Sequence, residues 1–435
     1  MIKIVFKAFR LAFFISLLAG VLVSGGVRAA TPTIEVLHVD GTIVPIVADY
    51  INRGLNQAEA KGSTVVIIQL STPGGVLSTT QEIVERILNA KVPVVVYVSP
   101  AGGWAGSAGT FITIAAHIAA MAPGSRIGAA TPVAMGEGMT EEMKRKVTED
   151  AAAWIRSIAE MRGRDPDHAE LAVREGKSYT DGEALKHNLI DLRADSLQGL
   201  ISQLNGMKVT LVTGEEITLN TEGYMLDKTE MSIVERFLHA ISNPNIAYIL
   251  LSLGTIGIIA EIYNPGALFP GITGGICLLL AFYSLGVLDA YWGGILLILL
   301  AFGLFIAEVF TTTFGLFTAG GITALVLGSL ILFPGGSSTF QIDWRLIATT
   351  VIIITALFTF VIHRAIQAHR RQPSAGKEEL IGKTAVVKVA LEPEGVVFLQ
   401  GERWTAISEK GRVEPGEEVI ITKVNGLKLW VTKKQ

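Results

Sequence analysis

Between Thr31 and about Met207 the apolar positions follow two alternating periods. Ile34-Glu35-Val36-Leu37-His38-Val39 reads as a strand, and Ile43 to Ala60 as an amphipathic helix with Tyr50, Ile51 and Leu55 on one face. Two apolar runs of strand type follow, Thr64 to Leu70 and Pro93 to Val98. Each runs into a glycine-rich turn, Ser71-Thr72-Pro73-Gly74-Gly75 and Trp104-Ala105-Gly106-Ser107-Ala108-Gly109-Thr110, and each turn leads into a helical pattern. Pro123 to Gly128 reads as a turn with a short strand, and helices are predicted from Glu141 to Met161 and from Asp167 to Glu175. Strands and helices alternating at these lengths predict a parallel sheet covered by helices. Both glycine turns then fall at carboxyl ends of strands, where α/β proteins hold their sites.

The pattern changes after Lys208. Short strands are expected up to Tyr224, then an amphipathic helix from Ser232 to Ser242 whose Ile233, Phe237 and Ile241 suit a membrane interface. Apolar runs follow at Ile246 to Ile262, Pro270 to Leu288, Gly294 to Phe310, Leu316 to Phe333 and Leu346 to Ile362. Spanning a bilayer takes about 20 such residues, with a lower limit of about 17, so the first run is marginal and about five spans are expected. Glycines such as Gly271, Gly274, Gly275, Gly320 and Gly321 suit close helix contact in lipid. His363-Arg364 and His369-Arg370-Arg371 follow the last run, which puts that end in the cytoplasm by the positive-inside rule. Beyond a polar linker, 372–377, five short alternating segments from Thr384 to Thr432 predict a small all-β barrel of the OB type, with Phe398, Trp404 and Trp430 in its core.

Composition adds three constraints. Mean hydropathy is +0.49, set by the apolar stretch between Asn245 and His363. A formal charge of −3 argues against a strongly basic nucleic-acid binder. Cys277 is the single cysteine, so the chain forms no internal disulfide, and within an apolar run it is expected to be buried. At the N-terminus Lys3, Lys7 and Arg10 precede an apolar run from Leu11 to Val23 and a small-residue end at Val27-Arg28-Ala29-Ala30. That is the pattern of a secretory signal peptide, which sends the following domain outside the cytoplasmic membrane. The expected segments are therefore a signal peptide at 1–30, an α/β domain at 31–230, a membrane region at 231–371 and a barrel at 378–435.

Ser107, flanked by Gly106, Ala108 and Gly109 at the start of a helix, is an unshielded hydroxyl facing amide N–H groups that suit an oxyanion. A serine needs a base. His117, ten positions on in an apolar segment, is the only histidine worth weighing, and a core role suits it better. The other base that works with serine is a lysine, and Lys144 and Lys146 open the long helix. A lysine acts as a base only when neutral, which takes a shift of roughly 3 pKa units, or about 4 kcal/mol. Spacing alone does not choose between the two. The absence of a Walker loop or of a cysteine or histidine cluster implies neither nucleotide nor metal.

Several stretches resemble the ClpP-class membrane serine proteases of the NfeD family. They are Ser71 to Gly75, Ser107-Ala108-Gly109-Thr110, Met121 to Ala129, Lys146-Val147-Thr148, Asn243 to Tyr248, Tyr263 to Ala267 and Gly401 to Ala406. The resemblance implies a ClpP/crotonase-like α/β protease domain, a polytopic helical membrane region and an OB-type barrel, in that order. It also implies Ser107 as nucleophile, Lys146 as general base, and the N–H groups of Gly75 and Ala108 as oxyanion hole, with no cofactor. ClpP itself has a histidine where this chain reads Gly128-Ala129-Ala130-Thr131-Pro132, in keeping with a Ser-Lys dyad.

Implied substrates are peptides or proteins, and the implied partner is a stomatin-like membrane protein. The expected setting is the cell inner membrane, with the protease domain outside, the barrel in the cytoplasm and the chain a homo-oligomer. Two other classes compete: a scaffold that binds a stomatin-like partner without significant peptidase activity, and a crotonase-like acyl-CoA enzyme, which needs no serine.

Overall fold

The computed structural model describes residues 32–132, 140–264, 266, 268–288, 290–311, 315–333, 341–370 and 380–434. The expected signal peptide, the linker 372–377 and most of Met135 to Met143 lie outside the described residues.

The first domain is built on a six-stranded sheet in the order β11-β1-β2-β3-β5-β8, every neighbouring pair parallel. Its strands are β1 (Thr33–Asp40), β2 (Val65–Ser71), β3 (Val94–Val98), β5 (Ile118–Met121), β8 (Leu192–Arg193) and β11 (Met225–Thr229). The central strands are buried on both faces, so β3 reads Val-Val-Val-Tyr-Val without alternation. One face packs under α1 (Pro45–Lys61), α2 (Leu77–Leu88) and α3 (Ala108–Ala115). The other rests on α7 (Leu197–Leu204), whose Leu200, Ile201 and Leu204 meet Ile34, Val36, Ile67, Val95 and Tyr97. Tyr50, Ile51 and Leu55, the predicted apolar face of α1, are fully buried.

A second sheet, β4 (Trp104–Gly106), β6 (Arg126–Gly128) and β7 (Ser178–Thr180), stands beside the carboxyl ends of the first. Helix α4 (Glu141–Met161) has the predicted bounds and opens with Thr140 accepting from the Met143 N–H. Helices α5 (Pro166–Arg174) and α6 (Asp181–Lys186) follow. Ion pairs of Arg174 with Glu149, and of Arg156 with Glu170 at 2.6 Å, hold α4 to α5.

A hairpin of β9 (Lys208–Thr210) and β10 (Glu216–Thr218) precedes β11. At that edge of the sheet the buried Glu35 carboxylate accepts from Thr229 Oγ1 and pairs with Lys61 Nζ at 3.3 Å, while Tyr50 Oη donates to Thr229 O at 2.6 Å. Helix α8 (Ile233–Ile241) leaves Ile233, Val234 and Phe237 exposed. Ile241 corrects the sequence expectation: it is buried, and its carbonyl accepts from Ser284 Oγ at 2.6 Å.

Five apolar helices follow, α9 (Pro244–Tyr263), α10 (Phe269–Val287), α11 (Trp292–Phe310), α12 (Leu316–Ile331) and α13 (Trp344–Arg370). Four of them are long and apolar enough to cross a membrane. The first run, expected to be marginal, is α9 and is among the four; the short one is instead α12, the fourth run, whose 16 residues rise about 24 Å against a hydrocarbon core of about 30 Å. Glycines set the helix contacts: a Cβ on Gly274 meets Ile258 N at 2.8 Å, and one on Gly328 meets Ile298 N at 2.9 Å. Gly275 has no atom within 4 Å and plays no such part. Cys277 is half-buried on α10 rather than fully enclosed.

The C-terminal strands β12 (Thr384–Val389), β13 (Glu394–Leu399), β14 (Glu402–Ser408), β15 (Glu418–Asn425) and β16 (Lys428–Lys433) close a barrel in the order β12-β13-β14-β16-β15. Only β14 and β16 pair in parallel. The core is aliphatic, Val387, Leu391, Val397, Leu399, Val419, Ile421, Leu429 and Val431 among others. Phe398 therefore departs from the sequence expectation. With Val397 and Leu399 pointing inward, it faces outward, 39% exposed, under Lys388 Nζ at 5.7 Å. Trp404 is half-buried against the core, and Trp430 is half-buried rather than enclosed in it.

Candidate active site

Ser107 sits between β4 and α3 with φ 49° and ψ −113°, a conformation that costs a residue with a side chain roughly 1–3 kcal/mol. Neighbouring bonds hold it there. Its N–H donates to Gly128 O at 2.9 Å and its carbonyl accepts from Thr110 N–H at 2.9 Å. The buried Thr110 hydroxyl donates toward Ala105 O (3.1 Å) and Gly128 O (3.0 Å), and accepts from Gly128 N–H at 2.9 Å. A strained turn of this kind lifts a hydroxyl clear of the backbone at the head of a helix.

The first glycine turn faces that hydroxyl. Thr72 N–H donates to Trp104 O and Gly106 N–H to Thr72 O, at 2.6 and 2.9 Å, which ties the turn after β2 to β4. Gly74, at φ +131°, approaches Ser107 so closely that a Cβ there meets Ser107 Cβ at 2.8 Å and Oγ at 3.3 Å. Gly75 packs on Ile43, whose carbonyl oxygen lies 2.1 Å from where a Cβ would stand. Ile43 N–H donates to Gly74 O and Val76 N–H to Ile43 O, both at 2.9 Å, while Gly74 N–H is taken by Thr72 Oγ1. Among the described residues this leaves Gly75 N–H without an acceptor. Ala108 N–H heads α3 and is one of the amides a helix leaves unpaired at its start. At the other end of α3, Arg162 Nε donates to Ala115 O (2.8 Å) and Arg164 Nη1 to Ile114 O (2.8 Å) and Ala116 O (3.0 Å). Two cations at the carboxyl end and free amides at the amino end favour an anion beside Ser107.

His117 lies elsewhere. Its Nδ1 accepts from Val94 N–H at 3.2 Å at the amino end of β3, whereas Ser107 adjoins the carboxyl ends. Burial, with Arg162 and Arg164 nearby, pushes its imidazole down to about 3, so it is a neutral structural histidine. Lys144 and Lys146 are both exposed on the first turns of α4, Lys144 paired with Glu141 at 2.9 Å and Lys146 with Glu142 at 2.8 Å. Among the described residues no hydrogen bond or ion pair joins either lysine to Ser107; the structure sets the turn holding Gly74 and Gly75 against Ser107, with Ala108 next in the chain, and pairs Lys146 with Glu142 instead. The roles of Thr110, Gly74 and Ile43 were not read from the sequence. Thr110 lay in the motif that marked Ser107, while Ile43 gave no signal of its own. No group of three or more metal-ligating side chains converges among the described residues.

Three family profiles match the chain in order: NfeD1b, N-terminal domain, over residues 33–202; NfeD integral membrane domain over 245–364; and NfeD-like C-terminal, partner-binding domain over 377–433. Membrane-bound protease PH1510 of Pyrococcus horikoshii is 36% identical over 413 residues, which cover 92% of this chain and 93% of that protein. Membrane protein NfeD1b of Bacillus subtilis is 28% identical over 453 residues, 98% of each. The solved structure of the 1510-N membrane protease specific for a stomatin homolog, from Pyrococcus horikoshii, aligns at 32% identity with a TM-score of 0.44, over 49% of this chain and all of that one. With its three modules matched in order and its full-length likeness to PH1510, the chain belongs to the NfeD family of membrane-bound proteases.

Proposed function

We propose that the chain is a serine endopeptidase of the membrane, with Ser107 as nucleophile, Lys146 as general base, and the N–H groups of Gly75 and Ala108 as oxyanion hole. The observation that carries this reading is the approach of the glycine turn to Ser107, so close at Gly74 that a Cβ there would stand 2.8 Å from Ser107 Cβ. Gly75 N–H is next in that turn, and Ala108 N–H heads the helix that Ser107 opens. In the reaction, neutral Lys146 takes the Ser107 proton while Oγ bonds to the peptide carbonyl carbon. The oxygen that becomes negative accepts from the two amides. Collapse breaks the C–N bond, and Lys146 returns its proton to the leaving amine. Water then repeats the sequence on the acyl-enzyme, releasing the acid and the free hydroxyl.

Lys146 is 64% exposed and paired with Glu142, so on this reading substrate must displace both water and that carboxylate to leave the amine neutral. The substrate class follows the relatives: a segment of a stomatin-like membrane protein, apolar in character, with the barrel holding the partner. We place the protease domain, 31–230, on the outer face of the inner membrane, the membrane region at 231–371 and the barrel, 378–435, in the cytoplasm. The basic run from His363 to Arg371 supports that orientation. The exposure of Lys146 equally favours the scaffold reading, and one experiment separates the two. The full chain in vesicles is given a fluorogenic peptide with an apolar segment. Cleavage that vanishes in Ser107→Ala, and falls steeply in Lys146→Ala but not in Lys144→Ala, supports the dyad. No cleavage by the folded wild type favours the scaffold.

A further inference from the structure

Helix α8 lies between the protease domain and α9, whose Pro244 follows Ile241 by three positions. It opens with a reciprocal cap between Ser232 and Glu235, and two of its side chains, one turn apart, reach back to the protease domain. Glu235 accepts two bonds from Arg53 on α1, at 2.9 and 2.7 Å. His239 places Nε2 at 3.1 Å from Thr42 O. A carbonyl only accepts, so Nε2 carries the hydrogen in this contact. The turn beneath the ring is glycine for a reason: Gly41 has φ +100°, and a Cβ there stands 3.3 Å from His239 Cε1.

The Thr42 carbonyl and the Ile43 N–H belong to one peptide plane. Its oxygen is held by His239, and its hydrogen is donated to Gly74 O at 2.9 Å. The carbonyl of the same Ile43 accepts from Val76 N–H at 2.9 Å, so Gly75 is bracketed on both sides by bonds to a single residue. Gly41 N–H adds a bond to Ser71 O at 2.9 Å. The strap 41–43 is thus the backing of the 71–76 turn, and His239 is the side chain that fixes the tilt of its central peptide. A bond on one side of an amide polarises it and strengthens the bond on the other.

We propose that His239 is a positioning residue for the oxyanion turn: by clamping the Thr42–Ile43 peptide it sets the direction of Gly75 N–H and ties the turn to the juxtamembrane helix. This rests on the peptidase reading above. It makes α8, with Ile233 and Val234 exposed and a membrane-crossing helix directly behind it, part of the frame of the active site rather than a tether.

The test uses the full chain in phosphatidylcholine vesicles and hydrolysis of N-acetyl-leucine p-nitrophenyl ester, with Ser107→Ala as blank. His239→Ala is expected to lower kcat on the order of tenfold, since donor misplacement near 1 Å costs up to about 100-fold, with KM changed less than threefold. His239→Gln carries an amide N–H at the reach of Nε2 and restores kcat to within about threefold of wild type. Arg236→Gln, on the same helix, whose guanidinium pairs with Glu230 and Met231, leaves kcat within about twofold. Wild-type kcat in His239→Ala, or equal loss in the Ala and Gln variants, overturns the proposal while the peptidase reading stands. A wild type no faster than Ser107→Ala overturns both.

Discussion

Replacing Gly75 by alanine adds one methyl group at the point where the proposed oxyanion hole has no room for it. That carbon stands 2.1 Å from Ile43 O, 2.3 Å from Ile43 Cβ and 2.6 Å from Ile43 Cα. Carbon atoms in contact settle at about 3.5–4.0 Å, so the turn must retreat by about 1 Å or more, and two of the three obstacles are backbone. Gly75 N–H moves with it. Loss of one oxyanion donor costs on the order of 10²–10³ in kcat, so kcat is expected to fall about 100-fold with KM changed only a few-fold.

Gly62→Ala is the matched control. It sits at φ +66° with no atom within 4 Å, so the methyl meets only backbone strain of about 1–2 kcal/mol at the end of α1. Melting temperature should drop by a few degrees and kcat stay put. Both variants are assayed as the full chain, with peptide hydrolysis and melting read on the same samples. A folded Gly75→Ala protein with wild-type kcat refutes the placement of the oxyanion hole.

Three further outcomes are expected. Thr110→Val keeps the shape but removes the hydroxyl that joins Ala105 O to Gly128, leaving Gly128 N–H buried without its partner. About 1–3 kcal/mol of stability and much of the activity should be lost, while Thr110→Ser retains both. His117 stays neutral in the folded state down to about 3, whereas unfolded it takes a proton below about 6.5. Stability therefore falls by roughly 2–4 kcal/mol as pH drops through that window, and hydrogen exchange of the β3 amides should report it. His117→Gln should flatten the dependence. Gly274→Leu forces a side chain against the α9 backbone, where even a Cβ lies 2.8 Å from Ile258 N, and should lower the melting temperature in detergent. Gly275→Leu, in open space, should not.

Local pattern predicted what local pattern governs. The strand-turn-helix units, the bounds of α4 and the barrel strands are set by apolar periodicity and turn residues, and all appear close to where the sequence puts them. Ser107 stood out because glycines flank it. What escaped depends on long-range contacts or on competition between neighbours. β11 pairs with β1 across almost two hundred residues, and Ile43 backs the 71–76 turn through backbone atoms that any residue would supply. Phe398 went outward because its smaller neighbours Val397 and Leu399 took the inner face. Ile241 turned inward because the chain continues directly into α9 and packs on α10. The pairing of Lys146 with Glu142 was readable, four positions apart on one helix face, but its weight against a catalytic role depends on what a substrate displaces.

The peptidase reading requires a reactive hydroxyl at position 107. It is tested most directly by treating the full chain in vesicles with a fluorophosphonate and locating the adduct by peptide mass spectrometry. One stoichiometric adduct is expected on Ser107, absent from Ser107→Ala and formed far more slowly in Lys146→Ala than in Lys144→Ala. A folded, vesicle-inserted protein that stays unlabelled, or carries its adduct on another serine, contradicts it.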